Sequence, residues 1–399
     1  MPVWHEATKA LQESGQIQVV GIIQEQHPDR CALFMQWKEM DWPIMVDSLD
    51  LLGVSAVPIT VLIDEAGVVY KVRARTRDLE AFLSEPPVEF EEAATPQAPN
   101  LDKLRAHVSS EDSSDLRDPA NLNALRYFID SVFLWGGPQR LDEAILIYQS
   151  TLAMHDDATF AFHLGVALQS RYEKSHEPDD FARAIKAWSH ALASDPNQYI
   201  WRRRIQQYGP RLDKPYSFYD WVSQARDEIS ARGETPLPLG TEPRGAELAY
   251  PAQTFVVDET AKADPDPDAR INLDQRGLIG IETIVVPTTE AGGSSSRVHV
   301  LLTPNESLNA HWNNESDETE VWLSPPPGWR VNALGRTAPN GPGAVSTEPR
   351  RVEFEILPPD DASPGIHVLS GYALYYVCED ADGQCLYLRR DIQIPITVR

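Results

Sequence analysis

The N-terminal part of the chain alternates between short β-forming runs and stretches with helical spacing. Ile59–Ile63 is a β-forming run, Asp64–Gly67 has the residues of a tight turn, and Val68–Tyr70 begins a second run. Pro58 directly precedes the first run, and because proline cannot donate to a sheet ladder, it is expected at the start of a strand. Further upstream the pattern predicts a helix, a strand, a second helix and an extended segment, over 4–13, 18–23, 30–38 and 42–47. Residues 1–84 are therefore predicted to form an α/β domain.

From Asn121 to about Arg232 the apolar residues recur at the spacing of a helix. On the first predicted helix they are Leu122, Leu125, Ile129 and Val132. Gly136-Gly137-Pro138 would end that helix, since glycine and proline are common just past a helix C-terminus. Three more helical stretches follow, over 141–152, 160–171 and 180–193. The pattern predicts a helical segment over residues 121–235.

From Gly245 onward the chain changes to runs of Val, Ile, Thr and Leu that are separated by clusters of Pro, Gly, Asn and Asp. The runs cover residues 254–257, 280–286, 297–302, 320–323, 351–356, 367–378 and 384–398. Short strands at such intervals are typical of an antiparallel sandwich. We predict a C-terminal antiparallel β-sandwich over 245–399, and hence a multidomain chain of the order α/β, α, β.

The stretch between the first two regions has a different composition. Ser84–Pro99 contains four prolines, which disfavour a helix, and four glutamates, whose negative charges repel one another. Residues 85–120 are therefore predicted to be an acidic, proline-rich linker, with a short helix at Leu101–Val108.

Charge and cysteine content exclude several classes of function. The net charge of −25 argues against nucleic-acid binding, which needs a basic face. No apolar run approaches the ~18 residues that a membrane-spanning helix needs. Three cysteines are too few for a disulfide scaffold and lack the spacing of a zinc site. The sequence predicts a soluble protein with no cofactor, no metal, no nucleic-acid partner and no membrane span.

The Val57-Pro58 pair with its following hairpin resembles the TlpA/ResA-like thioredoxin (redoxin) family. The resemblance implies that Pro58 is cis and faces a redox site, and that Val57 and Pro58 bind substrate, with Val57 pairing its backbone with a substrate strand. The family carries a C-x-x-C motif at the start of its first long helix, where the positive end of the helix dipole lowers the pKa of a cysteine. That motif is missing here.

The start of the chain bears on the missing dithiol. Met1-Pro2 matches the end of the family motif W-C-x-x-C-x-x-E-M-P, which would place the first strand and the dithiol upstream of Met1. Two interpretations stay open: a coding start assigned to an internal methionine, or a natural variant that has lost the site. Either leaves a thioredoxin-like domain that is incomplete and, in this chain, catalytically impaired.

The helical segment resembles a tetratricopeptide repeat in its last predicted helix pair. Ala184, Trp188, Ala191 and Pro196 fit the second half of such a repeat, whereas the insertion Glu173–Asp179 does not fit its period. The following aromatic stretch contains Arg202–Arg204, for which two interpretations arise: packing between domains, which the acidic chain favours, and a groove that binds a carboxylate.

Cys378 and Cys385 flank the turn of a predicted hairpin. A four-residue turn at Asp380–Gly383 places Glu379 opposite Gln384 and the two cysteines opposite each other. Directly opposed residues have Cβ atoms ~4.5–5.5 Å apart, and a disulfide needs ~3.5–4.5 Å, so a bond there would be strained and reducible. The nearby acidic residues Glu379, Asp380 and Asp382 are expected to raise the pKa of both thiols.

The C-terminal hairpin resembles the immunoglobulin-like N-terminal domain of the disulfide reductase DsbD, whose C…G…C hairpin passes electrons between thioredoxin-type partners. The spacing here is one residue longer than is typical of that domain. Three interpretations of Cys378 and Cys385 stay open: a structural pair, a redox-active pair and, least favoured, a metal site that His367 alone would not complete. Cys31 is interpreted as a small core residue.

Together these resemblances imply a protein of the thiol–disulfide oxidoreductase family from a bacterial cytoplasm or periplasm. Its partners would be protein thiols or disulfides and a redox partner protein, with Cys378 and Cys385 as the candidate redox pair. The alternative is a non-catalytic scaffold that binds polypeptides through its thioredoxin-like and repeat-like parts.

Overall fold

Two pairs of short strands and three helices make up the N-terminal unit, residues 2–86. The computed structural model describes residues 2–24, 27–86, 97–109, 115–175, 178–206, 221–240, 263–290, 293–379 and 383–398. The helices of this unit are α1 (Pro2–Glu13), α2 (Pro28–Trp37) and α3 (Leu79–Leu83). Its strands are β1 (Gly21–Ile23), β2 (Ile44–Val46), β3 (Val61–Ile63) and β4 (Val69–Val72). β1 pairs parallel with β2, and β3 pairs antiparallel with β4.

The N-terminal unit has a small core and an exposed apolar surface. Leu62 of β3 packs with Trp4, Trp42 and Leu79. Its neighbours in the same strand, by contrast, are exposed, as are most apolar residues of β2 and β4. Among the described strands the two pairs form separate two-stranded sheets, so both outer edges of each pair lack a neighbouring strand.

Within the described part of residues 101–206, six α-helices form the helical unit. They are α4 (Leu101–Val108), α5 (Pro119–Trp135), α6 (Leu141–Met154), α7 (Ala158–Ser175), α8 (Pro178–Ser194) and α9 (Tyr199–Gln206). α5 begins at Pro119, two residues before the predicted helical stretch. Asp118 caps it by accepting a hydrogen bond from the amide of Ala120, and Pro119 occupies the first turn. The short helix predicted at Leu101–Val108 is present and packs its apolar residues on the helical core. Residues 87–96, within the predicted linker, lie outside the described residues.

Helices α7 and α8 approach each other closely where Trp188 meets Gly165. Trp188 of α8 is fully buried and donates from its indole nitrogen to the carbonyl of Phe162, 3.2 Å away. Its ring lies against Gly165 of α7, where a Cβ would come within 2.3 Å of the indole nitrogen. Only glycine therefore allows the two helices to approach this closely.

Helix α10 (Trp221–Ala231) packs on the N-terminal unit through α2. The rings of Trp221 and Trp37 stack with their centroids 5.9 Å apart, and the indole of Trp37 donates to Glu228 at 2.6 Å. The segment that follows α10 also binds α2, because the guanidinium of Arg232 donates to the carbonyls of Gln36 and Trp37. The chain thus returns to its N-terminal unit after the helical unit.

Arginines of α9 join the helical unit to its neighbours, as the packing interpretation predicted. Arg204 is buried and donates to the carbonyls of Gln24 and Ser48 in the N-terminal unit. Arg203 donates to the carbonyl of Glu315 and the hydroxyl of Ser316 in the C-terminal part. Backbone carbonyls are thus prominent among the acceptors of these guanidinium groups.

Two antiparallel sheets form the C-terminal β unit. The strands are β5 (Ile279–Glu290), β6 (Gly293–Pro304), β7 (Ala310–Asn313), β8 (Thr319–Ser324), β9 (Arg330–Val331), β10 (Gly335–Ala338), β11 (Val345–Ser346), β12 (Arg350–Leu357), β13 (Gly365–Glu379) and β14 (Cys385–Val398). One sheet has the order β10-β8-β13-β7-β11, with β14 also paired to β13, and the other has the order β5-β6-β12-β9.

The two sheets share one core. Along β12 the buried and exposed residues alternate, which places Val352, Phe354 and Ile356 on the inner face. They pack in one cluster with Trp312 and Tyr375 of the other sheet. The prediction of a multidomain chain with helical and β-rich parts, and with an antiparallel C-terminal region, is confirmed. The predicted strand at 254–257 lies outside the described residues.

Asp50, in the loop after β2, is a buried carboxyl at the contact with α9. Only 8% of the residue is exposed, and its carboxyl accepts hydrogen bonds from the side chain of Gln24 at 2.5 Å and the amide of Val54 at 3.2 Å. Burial and, after it, the negative charge of Asp47 raise the pKa of Asp50 to about 7.

This raised pKa makes stability depend on pH. Between pH ~4 and 7 the folded chain holds a proton on Asp50 that the unfolded chain has lost, so stability falls as the pH rises through this window. Asp50→Asn keeps the accepting oxygen and tolerates the positive φ of 56°. From pH 5 to 8 we expect wild type to lose about 2 kcal/mol more than this variant in urea unfolding. Asp102→Asn, at an exposed carboxylate, should behave as wild type; equal pH dependence of Asp50→Asn and wild type would contradict the assignment.

Candidate functional site

A disulfide joins the two cysteines at the tip of the β13–β14 hairpin. Cys378 and Cys385 are directly opposed in the strand register, with Cα atoms 3.9 Å apart. The amide of Glu379 donates to the carbonyl of Gln384 at 3.0 Å, which closes the turn as the sequence predicts. Cys378 is 5% exposed, whereas Cys385 is partly exposed. Cys378 is therefore the more buried residue of the pair.

The disulfide hairpin contacts the N-terminal unit at the residue before Pro58. The amide of Cys385 donates to the carbonyl of Val57, with nitrogen and oxygen 3.0 Å apart, and the two residues form an isolated antiparallel bridge. The Val57-Pro58 peptide bond is cis, as predicted. Both residues remain exposed, Val57 to 36%. Two of the four sequence-predicted site residues, Val57 and Cys385, thus meet in one backbone contact. Pro58 directly follows Val57, and the disulfide adds Cys378.

A charge cluster lies beside this backbone contact. Glu379 follows Cys378 in β13, and its side chain is 8% exposed. One carboxylate oxygen pairs with Arg75 of the N-terminal unit at 3.2 Å, and the other pairs with Arg276 of the β unit. Arg75 follows β4, and the amide of the preceding Ala74 donates to the carbonyl of Thr60 at 3.0 Å. Val57 precedes the β3–β4 hairpin and Arg75 follows it, so the two contact points flank the same hairpin.

This cluster bears on the sequence-based expectation that the acidic residues raise the pKa of the two thiols. Glu379 was expected to raise the pKa of the neighbouring thiols by its negative charge. Because two guanidinium groups share its carboxylate, that charge is balanced, and Glu379 does not support the expectation. Asp380 and Asp382 lie outside the described residues.

Two tyrosines lie in the same hairpin, two register positions from the cysteines. Tyr376 and Tyr387 are opposed in register, with ring centroids 4.6 Å apart. Burial raises the pKa of Tyr387 to about 12 and that of Tyr376 well above its usual range. Both phenols therefore stay protonated at neutral pH and cannot act as bases toward a thiol.

A cleft of about 620 Å³ lies between the helical unit and the β unit. Arg202 and Tyr387 are among its lining residues, and the guanidinium of Arg202 lies 4.0 Å from the centroid of the Tyr387 ring. Arg202 also donates to the carbonyl of Pro196, and Asp317 accepts from Gln206. These polar groups thus have partners within the chain, and neither cysteine of the disulfide lines the cleft.

The remaining sequence-predicted candidates lie elsewhere or have no ligand set. Cys31 lies outside the disulfide, partly buried in α2, the helix that packs on α10. His367, the third residue of β13, donates from Nε2 to the carbonyl of Ser363 at 2.8 Å. Within the described ranges, His, Cys, Asp and Glu nowhere form a group of three or more that could hold a metal ion. In the same ranges no helix has both the length and the apolar character to cross a membrane.

Comparison with known proteins adds little to this site. No family model matches the chain, and no curated protein matches it. Among solved structures, AggA, the major subunit of aggregative adherence fimbriae type I from Escherichia coli, is similar to 30% of this chain over 95% of its own length. The identity is 12% and the TM-score 0.18, so this similarity carries no argument.

Sequence reasoning missed Arg75 and Arg276 as parts of the site. Each lies in a polar stretch without a motif, and Arg75 is 304 positions away from its partner Glu379. The one available signal was the buried register position of Glu379 next to Cys378, since a buried carboxylate needs a charged or hydrogen-bonding partner.

Proposed function

We propose that this protein takes part in thiol–disulfide exchange, with Cys378 and Cys385 as its redox pair and a thioredoxin-like N-terminal unit that presents them. One observation carries the proposal: the amide of Cys385 donates to the carbonyl of Val57, next to Pro58. In the TlpA/ResA-like proteins that the sequence resembles, this backbone position is where a substrate strand would pair. Here the strand that pairs is the chain's own disulfide hairpin.

Two further features support exchange over a purely structural bond. The cysteines are directly opposed on neighbouring strands, a geometry that favours reducible disulfides. Cys385 is partly exposed, and exchange requires that a thiolate reach one sulfur. Within the proposal, the N-terminal unit has a redoxin-like fold and the β unit resembles the N-terminal domain of DsbD.

The reaction needs a dithiol as reductant, which a thioredoxin-type protein supplies. One thiolate of that dithiol attacks the sulfur of Cys385, and the bond between Cys385 and Cys378 breaks. Cys378 leaves as a thiolate and takes up a proton. The second thiolate of the dithiol then attacks the mixed disulfide and releases Cys385. Two electrons and two protons pass to the pair, and the dithiol becomes a disulfide; the reverse sequence oxidises it.

The two sulfurs have different roles in this sequence. Cys385 is the one attacked, because it is the more exposed of the two cysteines. Cys378 is the leaving group, since the sheet covers it and leaves it only 5% exposed.

Trapping the mixed disulfide tests this assignment. The oxidised Cys31→Ser chain is mixed with a thioredoxin that lacks its resolving cysteine, and the adduct is mapped by mass spectrometry of peptides. We expect the adduct at Cys385. The Cys378→Ser, Cys385→Ser double variant, with no disulfide, should give none. An adduct at Cys378, or no adduct while dithiothreitol still reduces the bond, would contradict the proposal.

The alternative function is a non-catalytic scaffold that binds polypeptides. The observation that favours it is the exposed apolar surface of the N-terminal unit, where Val61 and Ile63 of β3 are 39% and 51% exposed beside an open strand edge. Such an edge can accept an extended segment. A scaffold would bind unfolded polypeptides equally well with its disulfide intact or with both cysteines replaced by serine.

A further inference from the structure

The contact between the N-terminal unit and the disulfide hairpin has two parts of different chemistry. The first is the single hydrogen bond from the amide of Cys385 to the carbonyl of Val57. One backbone hydrogen bond contributes only about 0.5–1.5 kcal/mol, too little to fix the register of two units. A second interaction is needed beside it.

That second interaction is the ion pair between Arg75 and Glu379, and both of its members are held in place. The amide of Arg75 donates to Asp78 at 2.7 Å, which fixes the backbone where the guanidinium begins. Glu379 is fixed by its place in β13 and by its backbone bond to Gln384. The side chains are 24% and 8% exposed, so water screens this pair less than a surface pair.

We infer that Arg75 is a positioning residue that restrains the exchange reaction: through Glu379 it holds the hairpin in register, so that Cys385 stays on Val57 and is partly shielded from attack. The inference rests on the proposed function. Arg75 does not touch either cysteine in the contacts described; it acts through the residue next to Cys378. Without its side chain, only the hydrogen bond from Cys385 to Val57 remains of these two contacts, so the hairpin undocks more often and Cys385 becomes more accessible.

The chain offers a matched control for this role. Arg276 pairs with the other oxygen of Glu379, but it belongs to the β unit itself. Arg276→Ala therefore removes the same charge from the same carboxylate without cutting a link between the two units. A purely electrostatic or purely structural role of the arginines would make the two variants alike, whereas a positioning role separates them.

Two measurements on the full oxidised chain, in the Cys31→Ser background, test the role. Hydrogen exchange of the Cys385 amide reports directly on its bond to Val57, and the rate of reduction by dithiothreitol reports on access to the sulfur. For Arg75→Ala we expect both rates to rise about tenfold, which corresponds to ~1.4 kcal/mol in the docking equilibrium. Arg276→Ala should stay within about twofold of the parent, and Arg75→Lys, which keeps the charge, should recover part of the protection.

Equal rates for Arg75→Ala and Arg276→Ala, or an unchanged Cys385 amide in Arg75→Ala, would overturn the inference. The failure of the proposed function looks different. In that case Arg75→Ala would still expose the Cys385 amide, but the trapping experiment would give no adduct in either the parent or the variant.

Discussion

Gly165→Ala is expected to lower the free energy of unfolding of the helical unit by about 2 kcal/mol, and Gly165→Leu by about 4 kcal/mol. A Cβ at residue 165 would lie 2.3 Å from the indole nitrogen and 2.4 Å from Cδ1 of Trp188. Trp188 is fully buried and hydrogen-bonded to Phe162, so its ring cannot swing away. The loss should exceed the ~1 kcal/mol that alanine gains over glycine in a helix.

Chemical denaturation, followed by the far-ultraviolet circular dichroism of the helices, measures this effect. Gly280→Ala is the matched control, because its new methyl group would meet its nearest neighbour, the carbonyl oxygen of Thr303, at an ordinary 3.6 Å. We expect that variant to remain within about 0.5 kcal/mol of wild type. A Gly165→Ala chain as stable as wild type would mean that α7 and α8 are not packed as described.

The local parts of the fold could be predicted because they depend on periodicity and on turn residues. The β-forming runs of β13 and β14, together with a four-residue turn, were sufficient to place Cys378 opposite Cys385. The predicted helix at 160–171 is present and longer, as α7, because Ala158 and the polar residues up to Ser175 add turns without interrupting the apolar face. Such features follow from neighbours a few residues apart.

The contacts between units could not be predicted in the same way. The partner of Glu379 is Arg75 of the distant N-terminal unit, and no repeat or motif marks either residue. Likewise α10 packs on α2 although it follows the helical unit in the chain, because its aromatic residue Trp221 finds Trp37 there. These contacts depend on the shape and charge of the surfaces that the folded units present. Complementarity between such surfaces produces no periodic pattern in the sequence. The two arginines around Glu379, which bear on the expectation about thiol acidity, were not predicted for the same reason.

The candidate site illustrates both cases. Val57 and Pro58 were identified by resemblance, and the two cysteines were identified by hairpin register. The two predictions were made independently, from separate segments of the sequence. Their meeting in the bond between Val57 and Cys385 was not predicted, since the sequence resemblance implied a substrate strand without identifying it. The thioredoxin-like and repeat-like interpretations remain proposals, supported by residue patterns.

The reduction potential of the Cys378–Cys385 pair is the second prediction with a large expected effect. An exchange pair must be reducible by a thioredoxin-type dithiol, whereas a structural disulfide resists it, and the two classes differ by several tens of millivolts or more. Because 30 mV corresponds to ~1.4 kcal/mol for this two-electron couple, the classes are well separated in free energy. The proposed function expects a reducible bond on the basis of the opposed cross-strand placement and the partial exposure of Cys385.

A redox titration of the Cys31→Ser chain against a dithiothreitol buffer, read by alkylation of the free thiols, measures this potential directly. The proposed function predicts a midpoint between about −180 and −270 mV, the range of catalytic and exchange pairs. A midpoint below about −300 mV would assign the bond to structure and contradict the account.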